Sequence, residues 1–199
     1  MTNTARALST ALVVATLASG CGPSWIIVKQ SNPNTLVGKK SFAVEPVAWQ
    51  GLSIGGKDTE EAWIAKRKPE EQAQFKTEWE TDKAESAKKL AARLGDKMAK
   101  IAATVAGAPG GDAVTIRGKV ELYEPGFWSP MGFGNADTVV VMNVDFTDAA
   151  GAPQDTVKFT ARVPGSIIMP APGQRLREGC EQIADQVISY LAARTAVPK

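Results

Sequence analysis

The stretches VTIRGKVEL (114–122), VVMNVDF (140–146) and VKFTARV (157–163) decide the fold of this chain. Val114, Ile116, Val120 and Leu122 alternate with Thr115, Arg117, Lys119 and Glu121; Val140, Met142, Val144 and Phe146 alternate with Val141, Asn143 and Asp145; Val157, Phe159, Ala161 and Val163 alternate with Lys158, Thr160 and Arg162. Successive side chains of a strand point to opposite faces, so a period of two with one polar face predicts three antiparallel strands covered on one side. Between the second and third, residues 148–153 contain Gly151, which can take a positive φ, and predict a hairpin.

The cover comes from two stretches of helical period. In 174–194, Leu176, Cys180, Ile183, Val187, Tyr190 and Leu191 share one face, which makes Cys180 a small buried hydrophobe. Arg175 and Arg177 stand at the positive end of this helix, where the dipole disfavours them unless they pair with an acid or bind an anion. Pro69 with Glu70 and Glu71 reads as a helix start. From there Phe75 and Trp79, then Ala87, Leu90, Leu94, Met98, Ile101 and Val105, form an apolar stripe that Asp82, Lys83 and Ser86 interrupt. Unbroken to Val105 the helix would span roughly 55 Å, so a bend near 81–84 or a projecting first half is expected. Trp63, Phe75 and Trp79 then either form an arm for a partner or pack on the domain. The dense mixed charge of 57–88 reads as a solvated helix face.

Upstream, 39–49 is strand-like, with Phe42 and Val44 on one side and Ala43, Glu45 and Val47 on the other; Pro46 makes it an edge strand or ends it. Trp25 to Val28 is a short apolar run read as a first strand. The expected fold is α+β: a mostly antiparallel sheet of four or five strands with two main helices on one face, in the order strand, helix, three strands, helix. The loop 124–136 is unusual, with Phe127, Trp128, Met131 and Phe133 among glycines. Such side chains bury much area against a partner, an acyl chain or their own sheet. Ile167, Ile168 and Met169 in 164–173 extend the same kind of surface.

Near its start the chain has Arg6, an apolar run from Ala7 to Ala18 interrupted only by Ser9, Thr10 and Thr16, and Leu17-Ala18-Ser19-Gly20-Cys21. About 12 apolar residues cannot cross a hydrocarbon core that needs roughly 20, so this is a signal peptide ending at a cysteine. It resembles the lipobox of bacterial lipoproteins, with Ala18 where that pattern prefers Leu. The resemblance implies cleavage between Gly20 and Cys21, thioether lipidation of Cys21 and acylation of the new amino terminus. The expected organisation is 1–20 signal peptide, 21–38 lipidated cysteine and tether, 39–195 a single periplasmic domain, and 196–199 a tail. Gly22 after the cysteine favours the outer membrane by the enterobacterial sorting pattern.

Composition narrows the chemistry. The formal charge of +2 becomes +1 when Arg6 is removed with the signal peptide, which gives no electrostatic reason to expect nucleic acid. With Cys21 lipidated, Cys180 has no partner for an internal disulfide. The chain has no histidine, which removes serine-histidine triads, imidazole bases and most zinc sites. No cofactor or metal is expected. Catalysis would rest on carboxylate pairs such as Glu121 with Glu124 or Asp145 with Asp148, positions that a surface strand fills with acids anyway.

Ser41-Phe42-Ala43-Val44-Glu45-Pro46-Val47, Gly132-Phe133-Gly134 leading into a strand, Asp148-Ala149-Ala150-Gly151 and the helix from Leu176 to Leu191 together resemble the α/β lipoproteins related to the curli-secretion lipoprotein and the TolB amino-terminal domain. That resemblance covers roughly 39–194 and implies a periplasm-facing, non-enzymatic role in envelope assembly or secretion. The expected function is a membrane-anchored, protein-binding or self-associating module using Phe127, Trp128, Met131 and Phe133, and the Trp63 to Trp79 arm. The alternatives are a lipid or small-ligand carrier and a carboxylate-dependent envelope enzyme.

Overall fold

The three long alternating runs are strands of one sheet, and their register follows their apolar faces. A computed structural model describes residues 25–108, 110–129 and 134–197. Met131, Phe133, Gly20, Cys21 and the signal peptide lie outside the described residues. In chain order the elements are β1 (Trp25–Lys29), β2 (Ser41–Val44), β3 (Ser53–Ile54), α1 (Glu60–Ala65), α2 (Pro69–Met98), a 3-10 turn (Ala99–Ile101), β4 (Thr104–Val105), β5 (Val114–Glu124), β6 (Thr138–Thr147), β7 (Pro153–Val163) and α3 (Pro172–Thr195).

The fold is α+β, but the sheet is larger than expected and mixed. Its order is β1-β7-β6-β5-β2-β4, and β3 pairs with β5 further along. Pairs β1/β7, β7/β6 and β6/β5 are antiparallel, whereas β2/β5, β2/β4 and β3/β5 are parallel. The parallel strands are two to four residues long, too short to show a period of two, which is why four or five antiparallel strands was an underestimate. Chain return to a parallel neighbour needs a crossover, and α2 supplies it between β2 and β5. The strand at 41–44 stops before Pro46 and is not an edge, since β4 lies outside it. The hairpin between β6 and β7 forms as expected, with Gly151 at φ 81° and Asp148 Oδ1 accepting from the Ala150 and Ala152 amides.

One bulge changes which residues of β5 face the core. The β5/β6 register shifts between Val120 and Leu122. A strict alternation puts Leu122 inside; the extra residue instead leaves Leu122 half-buried and turns Tyr123 inward to 1% exposure. The faces of β6 and β7 are as expected, with Val140, Met142, Val144, Phe146, Val157, Phe159, Ala161 and Val163 buried beneath α3. Leu176, Cys180, Ile183, Val187, Tyr190 and Leu191 of α3 meet them. Burial pushes the Cys180 thiol up to about 12, so it stays protonated and unreactive.

Helix α2 is continuous for 30 residues and runs in the same direction as α3. Three ion pairs mark the shared register: Asp82 with Arg177 at 2.7 Å, Lys89 with Glu181 at 3.3 Å and Arg93 with Asp185 at 2.8 Å. Helical hydrogen bonding does not break at 81–84, and Lys83 and Ser86 lie on the buried face itself, between Trp79 and Leu90. Both side chains are satisfied. Lys83 Nζ donates to Glu60 and Glu80 at 2.9 Å, and Ser86 Oγ donates to the Asp82 carbonyl at 2.6 Å. The helix ends seven residues before Val105. Ala102 adopts a left-handed φ of 52° that stops it, and Thr104 and Val105 pair with β2 instead.

The tether expected for 21–38 is largely part of the body. β1 pairs with β7, Leu36 is buried, and Gly38 N–H donates to the Thr195 carbonyl. Asp155, wholly buried on β7, collects this segment: it accepts from Ser31 N–H at 2.7 Å, Ser31 Oγ at 2.9 Å, Tyr190 Oη at 2.6 Å and Arg194 Nε at 2.8 Å.

Candidate functional site

One end of the sheet gathers most of the residues singled out above. β5 ends there at Glu124, β6 begins at Thr138, β7 ends at Val163 beside Thr138, and α3 begins at Pro172. β1 runs antiparallel to β7 with Trp25 opposite Phe159. β1 therefore starts toward this same end and runs away from it.

The two apolar loops pack against each other here. Phe127 and Ala136 exchange backbone hydrogen bonds of 3.0 Å across the first loop. Gly165 of the second lies so close that a Cβ there would stand 2.8 Å from the Phe127 carbonyl and 3.1 Å from Trp128 Cβ. Trp128 is half-buried by this contact, while Phe127, Ile167 and Ile168 stay 52%, 78% and 82% exposed. Arg175 joins the loops from beneath. Its guanidinium is 1% exposed and donates to Thr138 Oγ1 at 2.7 Å, to the Met169 and Pro170 carbonyls at 2.9 and 2.6 Å, and to the Pro125 carbonyl at 3.0 Å. Of the two arginines at the start of α3, this one serves as a carbonyl clamp.

The other, Arg177, pairs with Asp82. Asp82 thus brings an anion to the positive end of α3, which offsets the unfavourable placement of both arginines. The fit leaves no room for a side chain at Gly173, where an added Cβ would lie 2.1 Å from Asp82 Oδ2. Gly173→Ala should push Asp82 away, break its pair with Arg177 and lower stability by about 1–3 kcal/mol, which a urea melt measures; an unchanged midpoint would show that α2 yields freely.

Beside these loops lies a cleft of about 370 Å³ between α1, α2, the end of β5 and the start of α3. Its wall is aromatic. Trp63 meets Phe75 at 4.8 Å and Trp79 at 5.3 Å between ring centroids, both edge to face, and Trp79 stacks on Tyr123 at 5.3 Å. These aromatics pack on the domain, and Trp79 is only 3% exposed; Trp63 and Phe75 are half-buried and form the accessible part. Trp79 Nε1 is buried with no acceptor among the described residues. Arg67, in the turn between α1 and α2, lays its guanidinium over the Phe75 ring at 4.2 Å and the Trp63 ring at 5.9 Å. Glu78, Asp82, Arg177, Pro125 and Gly126 complete the lining. Trp63 and Trp79 were legible as aromatics in a charged run; Arg67 and Tyr123 were not, because nothing in their neighbours' pattern distinguishes them.

Of the acids considered for catalysis, Glu124 is exposed and the other three are engaged locally. Glu121 holds Asn143 and Lys158 on the open sheet face, Asp145 accepts from Thr156 Oγ1, and Asp148 caps the hairpin. A wider hollow of about 640 Å³ beside Trp49 and Leu52 is bordered by Asp58, Glu60 and Lys83, which are paired to Lys66, Lys83 and Glu60 respectively. Among the described residues, no group of three acidic, cysteine or histidine side chains is arranged to hold a metal, and no helix is long and apolar enough to cross a membrane.

No family model matches the chain, and no curated protein matches it. Among solved structures it is similar to the PelC dodecamer from Paraburkholderia phytofirmans, with 16% identity over 87% of this chain and 99% of that one at a TM-score of 0.34. A point variant of the same dodecamer gives 14% identity, the same coverage and a TM-score of 0.35.

Proposed function

We propose that this protein is a lipid-anchored bacterial envelope lipoprotein, held through Cys21 most naturally in the outer membrane facing the periplasm, and that it acts without catalysis as a protein-binding or assembly module. The observation that carries this reading is the direction of β1. Cys21 stands four residues before Trp25, and four residues reach at most about 14 Å. Lipid on Cys21 therefore brings the bilayer close to the sheet end that bears exposed Phe127, Ile167 and Ile168. Exposed apolar side chains on a loop clamped from below are suited to a partner met at the membrane surface, because little ordering entropy remains to be lost on binding.

Feeding cells labelled palmitate should mark the wild-type protein and leave Cys21→Ser unmarked and released into the soluble fraction. A soluble, unlabelled wild type would sink the anchoring. A photo-crosslinker at Phe127 in intact cells should then trap a specific envelope protein or a second copy. Trp128→Ala should weaken that crosslink without unfolding the chain, whereas an unchanged yield would remove the loop from the interface. A second reading, carriage of a small ligand, is favoured by the aromatic cleft alone.

A further inference from the structure

The cleft already holds a positive charge of its own. The guanidinium of Arg67 lies over Phe75 at 4.2 Å and Trp63 at 5.9 Å, yet Arg67 is exposed and forms no ion pair among the described residues. Its attachment to the cleft is a cation–π contact at an exposed position, a bond weak enough to exchange. Glu78 borders the same cleft and is also exposed; its carboxylate accepts only from Gln74 Nε2 at 2.8 Å and meets no cation among the described residues. Two accessible aromatic rings with one uncommitted carboxylate beside them are complementary to an ammonium group. Arg177, paired to Asp82 on one side, lines the same cleft and is left as the cation for an adjoining phosphate, and the volume of about 370 Å³ matches a small headgroup rather than a folded partner.

We propose that this cleft, through the accessible rings of Trp63 and Phe75, binds the ammonium end of a zwitterionic phospholipid headgroup in the place that Arg67 occupies. The headgroup is assigned to a bilayer because Pro125, Gly126 and Ala171 line the cleft at the sheet end toward which β1 starts. That source rests on the anchoring proposed above; the affinity of the cleft for an alkylammonium phosphate does not.

The test uses the full chain carrying Cys21→Ser, with tryptophan fluorescence as readout and phosphocholine as probe. Phosphocholine should give a saturable change. Arg67→Ala, which removes the internal competitor, should tighten binding roughly threefold, and Glu78→Gln should weaken it by a similar factor. Both positions are exposed, so the melting temperature should stay within a degree or two and separate binding from folding. Vesicles of phosphatidylcholine or phosphatidylethanolamine should be bound in preference to phosphatidylglycerol. Absence of a saturable response, an Arg67→Ala affinity equal to wild type, or binding of a lysine-rich peptide in the absence of phosphocholine binding would each overturn the proposal. Binding of phosphocholine with no preference among vesicles would overturn the lipid source. Failure of palmitate labelling with the fluorescence titration intact would overturn the anchoring and leave the cleft.

Discussion

Asp155→Asn should lower the stability of the protein by about 3 kcal/mol, the low end of the cost of leaving one partner of a buried ion pair without its counter-charge. Asp155 is wholly buried, and the Arg194 side chain retains only 14% exposure. An amide of the same shape keeps the packing but offers one acceptor oxygen where Tyr190, Ser31 and Arg194 all donate. The melting temperature of a domain this size should fall by roughly 6–12 °C. The same residue sets an acid limb. Burial pushes its carboxyl up, and the hydrogen bonds from Arg194, the Ser31 amide, Tyr190 and the Ser31 hydroxyl outweigh that, so the folded value lies below the ordinary 3.8. A depressed folded value means that the stability it contributes is complete above about pH 4 and is lost as the pH falls through the lower folded value. Wild-type stability should therefore drop below pH 4, and the Asn variant should lose the part of that slope that Asp155 carries, while Asp185, held down by its hydrogen bonds from Arg93, keeps its own. Parallel acid limbs in the two proteins would show that other carboxylates govern it.

The staple at Asp155 also shows where pattern reading reaches and where it stops. β6, β7 and α3 were legible because each repeats its period over seven or more residues, and a long period averages out single exceptions. The parallel strands were not, since β3 and β4 are two residues each and are held by their neighbours' backbone rather than by any alternation of their own. Lys83 and Ser86 read as breaks in the apolar stripe because hydropathy prices a polar residue as exposed. The fold buries both by supplying Glu60, Glu80 and a helix carbonyl; the last two lie within one helical turn, but Glu60 is 23 residues away and cannot be inferred from spacing. Glu60 itself sits on α1, a six-residue helix capped by Thr59 and too short to carry a periodic signal. In the site, the bulge after Val120 is the cause of one miss, since it exchanges Leu122 for Tyr123 at the cleft wall. The Asp82 to Arg177 pair is the resolution of another: an acid that interrupts one helix and an arginine that spoils the start of another each look unfavourable alone, and together they satisfy both.

Arg175→Ala should loosen the loops that carry Phe127 and Met169 more than the core, and cost about 2–4 kcal/mol overall. The guanidinium is the common donor to carbonyls of both loops and to Thr138, whose own hydroxyl donates to the Pro125 carbonyl at 2.6 Å. Truncation leaves the part-buried Met169 and Pro170 carbonyls without this donor, at about 1–3 kcal/mol each less what water entering the gap restores, while the Pro125 carbonyl keeps Thr138. Lysine cannot replace it, because a single ammonium on a flexible stem lacks the planar fork that reaches Met169, Pro170, Pro125 and Thr138 at once; Arg175→Lys should recover less than half of the loss. Hydrogen exchange distinguishes a local clamp from a general packing role. In the alanine variant the amides of Phe127, Ala136 and Met169, which are bonded within these loops, should exchange far faster, while Ile183 and Val187 in the middle of α3 should follow only the global change. If exchange rises evenly across loops and helix, Arg175 supports the core and does not preorganise the loops. Selective loosening should carry over to the crosslink at Phe127, reducing its yield although every exposed side chain is still present, because the partner would then have to order the loops itself.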